Sequence, residues 1–161
     1  MNNVEWTPEW LAETIKLLRT HGSDTQFIEV KKAHGGYPGS LDATLSSFSN
    51  SSTGGIIICG LDENNDFAPV GVYDPADLEK TLGNKLRRGL KPPNTMESGT
   101  ILYEDAKIFV AAIPPLPPYE RPAYIGGKAY VRSGDGDHEM SRHETDLMVA
   151  QRTRTGFDEE P

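Results

Sequence analysis

The chain has 161 residues, enough to bury a core of its own without disulfides or metals as staples. Its 16 glycines and 12 prolines, set against a hydrophobic share of 36%, call for many turns and short elements and exclude a helical bundle. A net charge of −8 favours solubility and disfavours a protein that meets nucleic acid through its overall charge, but leaves room for a local basic patch.

Thr7-Pro8-Glu9 opens a first helix, with Thr7 as N-cap and Pro8 at the first helical position. Trp10, Leu11, Thr14, Ile15, Leu17 and Leu18 give it an apolar stripe, and His21-Gly22 stops it. Trp6 and Trp10 read as packing anchors rather than base-stacking platforms. After a turn at Ser23-Asp24, residues 27–32 read as a strand with Phe27, Glu29 and Lys31 on one face and Ile28 and Val30 on the other. Glu29 and Lys31 then admit two readings. One is an ion pair on a solvated edge, which contributes little. The other is an E-x-K element, in which a carboxylate holds a metal or a proton and a lysine stabilises developing negative charge. The loop from Ala33 to Ser40 lacks the ending of a P-loop and is not G-x-G-x-x-G, although an anion at the following helix start stays open. Ser40 is the expected cap of a short helix, Leu41 to Ser49, whose stripe is Leu41, Leu45 and Phe48.

Ser47 to Asp62 organises the chain. Ile56-Ile57-Ile58-Cys59 is its most continuous β-branched run, bounded by Gly54-Gly55 and Gly60, as expected of a strand buried on both faces. Asn50, Gly54 and Gly55 read as turn-formers that let this strand enter tightly, and Asp62 and Glu63 stand just past its end. Cys59 inside it reads as a small core residue; a reactive thiol is the alternative, and nothing near it in sequence argues for one. The acidic turn from Asp62 to Asp66 does not have calcium-loop spacing. Phe67 to Val72 is a short extended return. Asp74-Pro75 starts a helix with Leu78, Leu82, Leu86 and Leu90 facing the core. Lys80, Lys85, Arg87, Arg88 and Lys91 make its outer side and end basic, the most concentrated positive segment of the chain. Such residues also suit a helix C-terminus.

Thr100–Tyr103 and Lys107–Ile113 form a hairpin about Glu104-Asp105. Pro114 to Pro118 is a stiff exit, read as a connector ahead of an SH3-type ligand. A second hairpin turns at Gly126-Gly127. Ser133 to Glu139 is a polar loop whose Asp135, Asp137, His138 and Glu139 have metal-ligating chemistry but no companion ligands. Ser141 caps a last helix from Arg142 to about Arg154. The sequence thus predicts one domain over residues 1–155 and a tail or linker stub over 156–161, as in an N-terminal domain with further C-terminal domains. One cysteine excludes an internal disulfide and fits a reducing compartment. No apolar run has the length of a membrane span, and the N-terminus lacks a signal-peptide pattern. A cytoplasmic protein with no membrane partner is expected.

In order along the chain, IEVK (Ile28–Lys31), LSSFSNSSTGGIIICGLDEN (Leu45–Asn64), Val70-Gly71, IPPLPPYERPAY (Ile113–Tyr124) and AYVRSGDGDHEMSRHE (Ala129–Glu144) resemble the Schlafen-type AlbA-like domain. The resemblance covers roughly Asp24 to Leu147. It implies an α+β fold with a mixed central sheet and flanking helices. It also implies a nucleic-acid-binding role, DNA-binding in bacterial transcriptional regulators and ATP-binding regulator proteins. On this resemblance Asn50, Gly54, Gly55, Gly60, Arg121, Pro122, Tyr130 and Gly134 are structural motif positions. Lys31, Lys32, Lys85, Arg87, Arg88, Lys91 and Arg132 are the expected nucleic-acid contacts.

Some Schlafen relatives are metal-dependent RNases that cut structured RNA such as tRNA with a carboxylate trio. The matching positions here are Asp24, Glu29 and the pair Asp62/Glu63, with Lys31 beside them; Asp24 stands where the family has Glu. In that alternative, Glu29 and Asp62 hold Mg²⁺ or Mn²⁺; otherwise no cofactor is expected. Five residues of extended strand span about 17 Å, so Asp24 and Glu29 share a site only if the turn at residues 22–24 folds back. Three roles follow, in order of preference: a binding module without chemistry, a nuclease, and a module for homo-oligomerisation or for coupling to an ATP-handling partner. The absence of a P-loop argues against ATP hydrolysis by this chain.

Overall fold

The computed structural model describes residues 4–134 and 136–158. Helix α1 spans Pro8–His21; Thr7 accepts a hydrogen bond from the Trp10 amide, and Gly22, in the left-handed region, ends the helix. Strand β1 (Ile28–Lys31) leads to helix α2 (Leu41–Ser49), then to β2 (Gly55–Cys59) and the short pair β3 (Leu61–Asp62) and β4 (Ala68–Pro69). Helix α3 (Pro75–Asn84) has Asp74 as its N-cap, the side chain accepting from the Asp77 amide. It is shorter than the leucine spacing predicts. Lys85–Gly89 continue as a π-helical turn, and Leu90 falls in strand β5 (Leu90–Lys91). The chain then runs through β6 (Glu97–Tyr103), β7 (Ala106–Ile113), β8 (Tyr124–Ile125), β9 (Lys128–Ser133), β10 (Gly136–Glu139) and α4 (Arg142–Asp158).

The main sheet has the order β1-β2-β7-β6, with β1 parallel to β2 and the other pairings antiparallel. The expected central strand is there, buried at every position. Its pleat sends Ile57 and Cys59 into one core and Ile56 and Ile58 into the other. Each isoleucine so buried contributes on the order of 1.5–3 kcal/mol. The core on the Ile56 side is closed by Leu11, Ile15 and Leu18 of α1, with Trp6 and Trp10 packed at its margin as anchors. The core on the Ile57 side holds α2 and α3 and reaches a second sheet of order β10-β9-β8-β5.

Helix α2 therefore lies between two sheets, and residues 44–50 are all buried although five of them are Thr, Ser or Asn. Entry into β2 is tight, as predicted for Gly54 and Gly55. Gly54 has φ +72°, and a Cβ there would stand 2.1 Å from the Ile113 carbonyl. At Gly55 a Cβ would stand 2.5 Å from the Phe48 ring.

Two expectations are corrected and one is extended. Ser40 makes no side-chain cap on α2, since its backbone is already helical. Asn50 stands in the turn that ends α2, as expected, and is in addition a buried clamp between elements. The polar loop after Ser133 is in part strand β10, pairing with β9. Ser141 does cap α4 through a reciprocal pair with Glu144, and α4 continues past Arg154 to Asp158. Residues 159–161 of the expected tail lie outside the described residues, as does Asp135. Among the described residues no helix is long and apolar enough to cross a membrane.

Candidate functional site

The turn before β1 folds back on the strand. Thr25 accepts the Phe27 and Ile28 amides on its hydroxyl, and its own amide donates to the Ile28 carbonyl at 3.0 Å. This brings Asp24 alongside the strand, where its Oδ1 accepts the Val30 amide at 3.1 Å. The Asp24 and Glu29 carboxyls meet, as an extended segment would have forbidden. Glu29 is buried, so its reading as one half of a solvated ion pair with Lys31 is corrected.

The partner of Glu29 is Arg132, whose side chain is 1% exposed. Its Nη1 donates to Glu29 at 3.3 Å and to Asp137 at 3.0 Å. Its Nε and Nη2 donate to the Thr25 carbonyl at 3.0 and 2.8 Å, and Nη2 also reaches the Ile28 carbonyl at 3.1 Å. Every N–H of the guanidinium is thereby satisfied. The group also lies 5.1 Å from the centroid of the Phe48 ring. Asp137, opposite Arg132 in the β9–β10 register, accepts from Ser47 at 2.5 Å and from Thr44 at 2.7 Å. Thr44 stands 3.0 Å from Glu29 as well, so α2 supplies hydroxyls to two carboxylates.

This cluster sets three carboxyls, Asp24, Glu29 and Asp137, against one guanidinium. Unpaired charge is expensive away from water. Burial, followed by the hydrogen bond and the negative charge of Glu29, pushes Asp24 from 3.8 up to about 9, and Glu63 adds to the effect. Asp24 is thus held protonated at neutral pH, which lessens the excess of carboxyls over the one guanidinium.

The remaining predicted site residues lie elsewhere. Asp62 is half-buried, 3.8 Å from Lys32 Nζ, and caps the turn after β3 by accepting the Asn64 amide. Glu63 is exposed, and Lys31 is half-buried. Among the described residues no three His, Cys, Asp or Glu side chains are grouped to hold a metal ion, so Asp137, His138 and Glu139 form no such site. Asn50 accepts the Ala123 amide at 2.7 Å and donates to the Ala123 and Tyr130 carbonyls. Ser46 accepts the Tyr130 amide at 2.9 Å. Gly60 donates to the Lys31 carbonyl at 2.9 Å, and Gly134 turns between β9 and β10. Arg121 donates to the Leu116 carbonyl at 2.9 Å, and its bond to Pro122 is cis.

Of the expected nucleic-acid contacts, Arg132 is removed to the interior and Lys85 is paired with Asp42 at 3.2 Å. Arg87, Arg88 and Lys91 are exposed and take part in no salt bridge among the described residues. Lys91 stands opposite Tyr124 in the β5–β8 register, and Tyr124 is 37% exposed. Sequence reasoning missed Tyr124, Thr44 and Ser47 and assigned Asp137 only to a metal. The hydroxyl-rich face of α2 was the signal available for the last three. Cys59 is buried, and desolvation pushes its thiol up to about 12, which makes it inert.

Among solved structures, the chain is similar to the N-terminal domain of a RecG-related protein from Nitrosomonas europaea. The TM-score is 0.61 at 23% identity, over 81% of this chain and 94% of that one. It is also similar to the DIP2311 protein from Corynebacterium diphtheriae, with a TM-score of 0.58 at 14% identity, over 88% of this chain and 32% of that one. Among curated proteins none matches. These likenesses show the α+β fold. The sequence pattern of the family described as Schlafen, AlbA_2 matches residues 24–141, most of the chain, and the chain belongs to that family.

Proposed function

We propose that this chain is a nucleic-acid-binding regulatory module that grips phosphates through Arg87, Arg88 and Lys91 and stacks a base on Tyr124. The observation that carries this reading is the surface at the end of α3. In a chain of net charge −8, these cations are exposed and outside every salt bridge among the described residues, with an aromatic ring directly across the strand pair from Lys91. Free cations gain affinity by releasing counterions from the phosphate backbone, and an exposed ring offers a sequence-tolerant platform for a base. Lys31 and Lys32 form a smaller second site, limited by the contact of Lys32 with Asp62. The name of the RecG-related neighbour, that of a DNA helicase relative, points the same way.

One feature favours the nuclease alternative: the turn that brings Asp24 against Glu29. The donor set present does not fit a divalent metal. Glu29 is held by Arg132 and Thr44, Asp24 is turned to the Val30 amide, and Asp62 stands 3.8 Å from Lys32. No catalytic step is derived through a metal for that reason.

Fluorescence anisotropy with short labelled oligonucleotides tests the preferred reading. Tyr124→Ala should weaken binding of single strands by about 1–3 kcal/mol and of duplexes by less. Equal affinity of Tyr124→Ala and wild type for single strands would remove the stacking site.

A further inference from the structure

The two edges of the main sheet are treated differently. At β1 the outward backbone groups are taken: the Val30 amide by Asp24, the Ile28 amide by Thr25, and the Ile28 carbonyl by Arg132. At β6 the outward groups are those of Ser98, Thr100 and Leu102. The two-residue turn at Glu104-Asp105, with φ +48° and +66°, makes Tyr103 and Ala106 the closing hydrogen-bonded pair, so every second residue back along β6 faces away from β7. None of these outward amides and carbonyls has a hydrogen-bond partner among the described residues. The strand has neither the lysine nor the proline that commonly blunts such an edge. At its start Trp6 lies against Gly99, where a Cβ would stand 3.1 Å from the ring, and Trp6, Glu97, Ser98, Gly99 and Thr100 line an open groove of about 500 Å³.

The charge about this edge has one dominant sign. Glu97 and Glu79 stand at one end, Glu79 accepting from the Ser98 hydroxyl at 3.1 Å, and Glu104 and Asp105 stand at the other. All four are exposed and outside every salt bridge among the described residues. Of the cations nearby, Lys107 lies on β7 opposite Leu102, and Arg19, near Tyr103, is paired with Asp66. A second copy of the edge would bring acids to acids. The chain's own Asp158, Glu159 and Glu160 carry the same sign, and its basic stretches, residues 31–32 and 85–91, are built into the fold.

We propose that β6 is a docking edge for an extended basic segment of another protein, which adds to the four-stranded main sheet as a further strand. Main-chain hydrogen bonds to Ser98, Thr100 and Leu102 supply affinity, as in strand addition generally. Lysine or arginine at the two ends of the segment, about 23 Å apart along the strand, meets the acids at the two ends of β6. An apolar side chain between them enters the groove beside Trp6. This inference does not depend on the nucleic-acid reading, whose residues lie at the end of α3 and on the second sheet.

The probe is the labelled peptide KKTVTVTKK. Two-dimensional NMR of the isotope-labelled full chain, titrated with it, should shift the amides of Ser98, Thr100 and Leu102 and the Trp6 indole, and leave β1 unmoved. By fluorescence anisotropy, KKTVPPTKK keeps the charge but loses a ladder donor whichever way the strand faces, and should bind about tenfold more weakly or worse. The acid-ended EETVTVTEE should not bind. Thr100→Pro removes an outward amide that β7 does not use, and should weaken binding of KKTVTVTKK by about tenfold with the far-UV spectrum unchanged. Shifts confined to other surfaces, or no saturable binding of KKTVTVTKK, would overturn the proposal. So would equal affinity of the proline peptide, which would leave charge attraction without an added strand, or equal affinity of the acid-ended peptide.

Discussion

Asp24 is where the interior chemistry is most exposed to test. Its carboxyl is ionised in the unfolded chain above pH 3.8 and protonated in the folded one up to about 9. Folding therefore binds a proton across that window. The stability that the raised value reports is complete below pH 3.8, falls as pH rises through the window, and is lost above about 9. Asp24→Asn keeps the oxygen that accepts the Val30 amide and removes the titration. Its melting temperature should decline less between pH 5 and 9 than that of the wild type, and at pH 9 it should be the more stable protein. Parallel profiles would show that Asp24 is ionised in the fold. Arg132→Ala strands Glu29 and Asp137 without their counter-charge, and urea unfolding should show a loss of about 3–5 kcal/mol. A loss under 1 kcal/mol would mean that water reaches the cluster.

At the scale of elements, α2 joins the two sheets. Its polar side chains reach in two directions: Thr44 and Ser47 to Glu29 and Asp137, Ser46 and Asn50 to the backbone of β9 and the segment before β8. Asn50→Ala leaves the buried Ala123 amide without an acceptor, at a cost of about 1–3 kcal/mol. Hydrogen exchange should then speed up around Ala123 and Tyr130 before it does in β2; unchanged exchange there would mean that Asn50 is not the clamp. The periodic elements were legible in the sequence because their signals are local. Thr7-Pro8 and Asp74-Pro75 are caps, and Ile56 to Cys59 is an unbroken run. The buried network was not legible, because Arg132 joins residues on β1 and β10 that share no local pattern with it. A surface arginine and a buried one look alike in sequence. Asp137 was read for its ligand chemistry when its role is to pair across β9 and β10. The π-helical turn after α3 was hidden by the continued leucine spacing, since Leu86 stays buried through it and Leu90 is buried from a strand instead.

For the whole molecule, the question is how an acidic protein presents a basic face. Part of the answer is that its cations are divided. Arg132 is spent inside the fold, Lys85, Lys32 and Lys128 are paired with Asp42, Asp62 and Glu139, and Arg87, Arg88 and Lys91 are left facing solvent at one end of the second sheet. If that face binds nucleic acid, the interaction is local and few-contact, and its salt dependence is the direct measure of how many phosphates it meets. Three cations predict a slope of log K against log salt of about −2 to −3 on duplex DNA or single strands. Arg87→Glu/Arg88→Glu should leave the fold intact, weaken binding by at least about tenfold at low salt, and flatten the slope to about −1. Binding that is insensitive both to salt and to this double reversal would contradict the account.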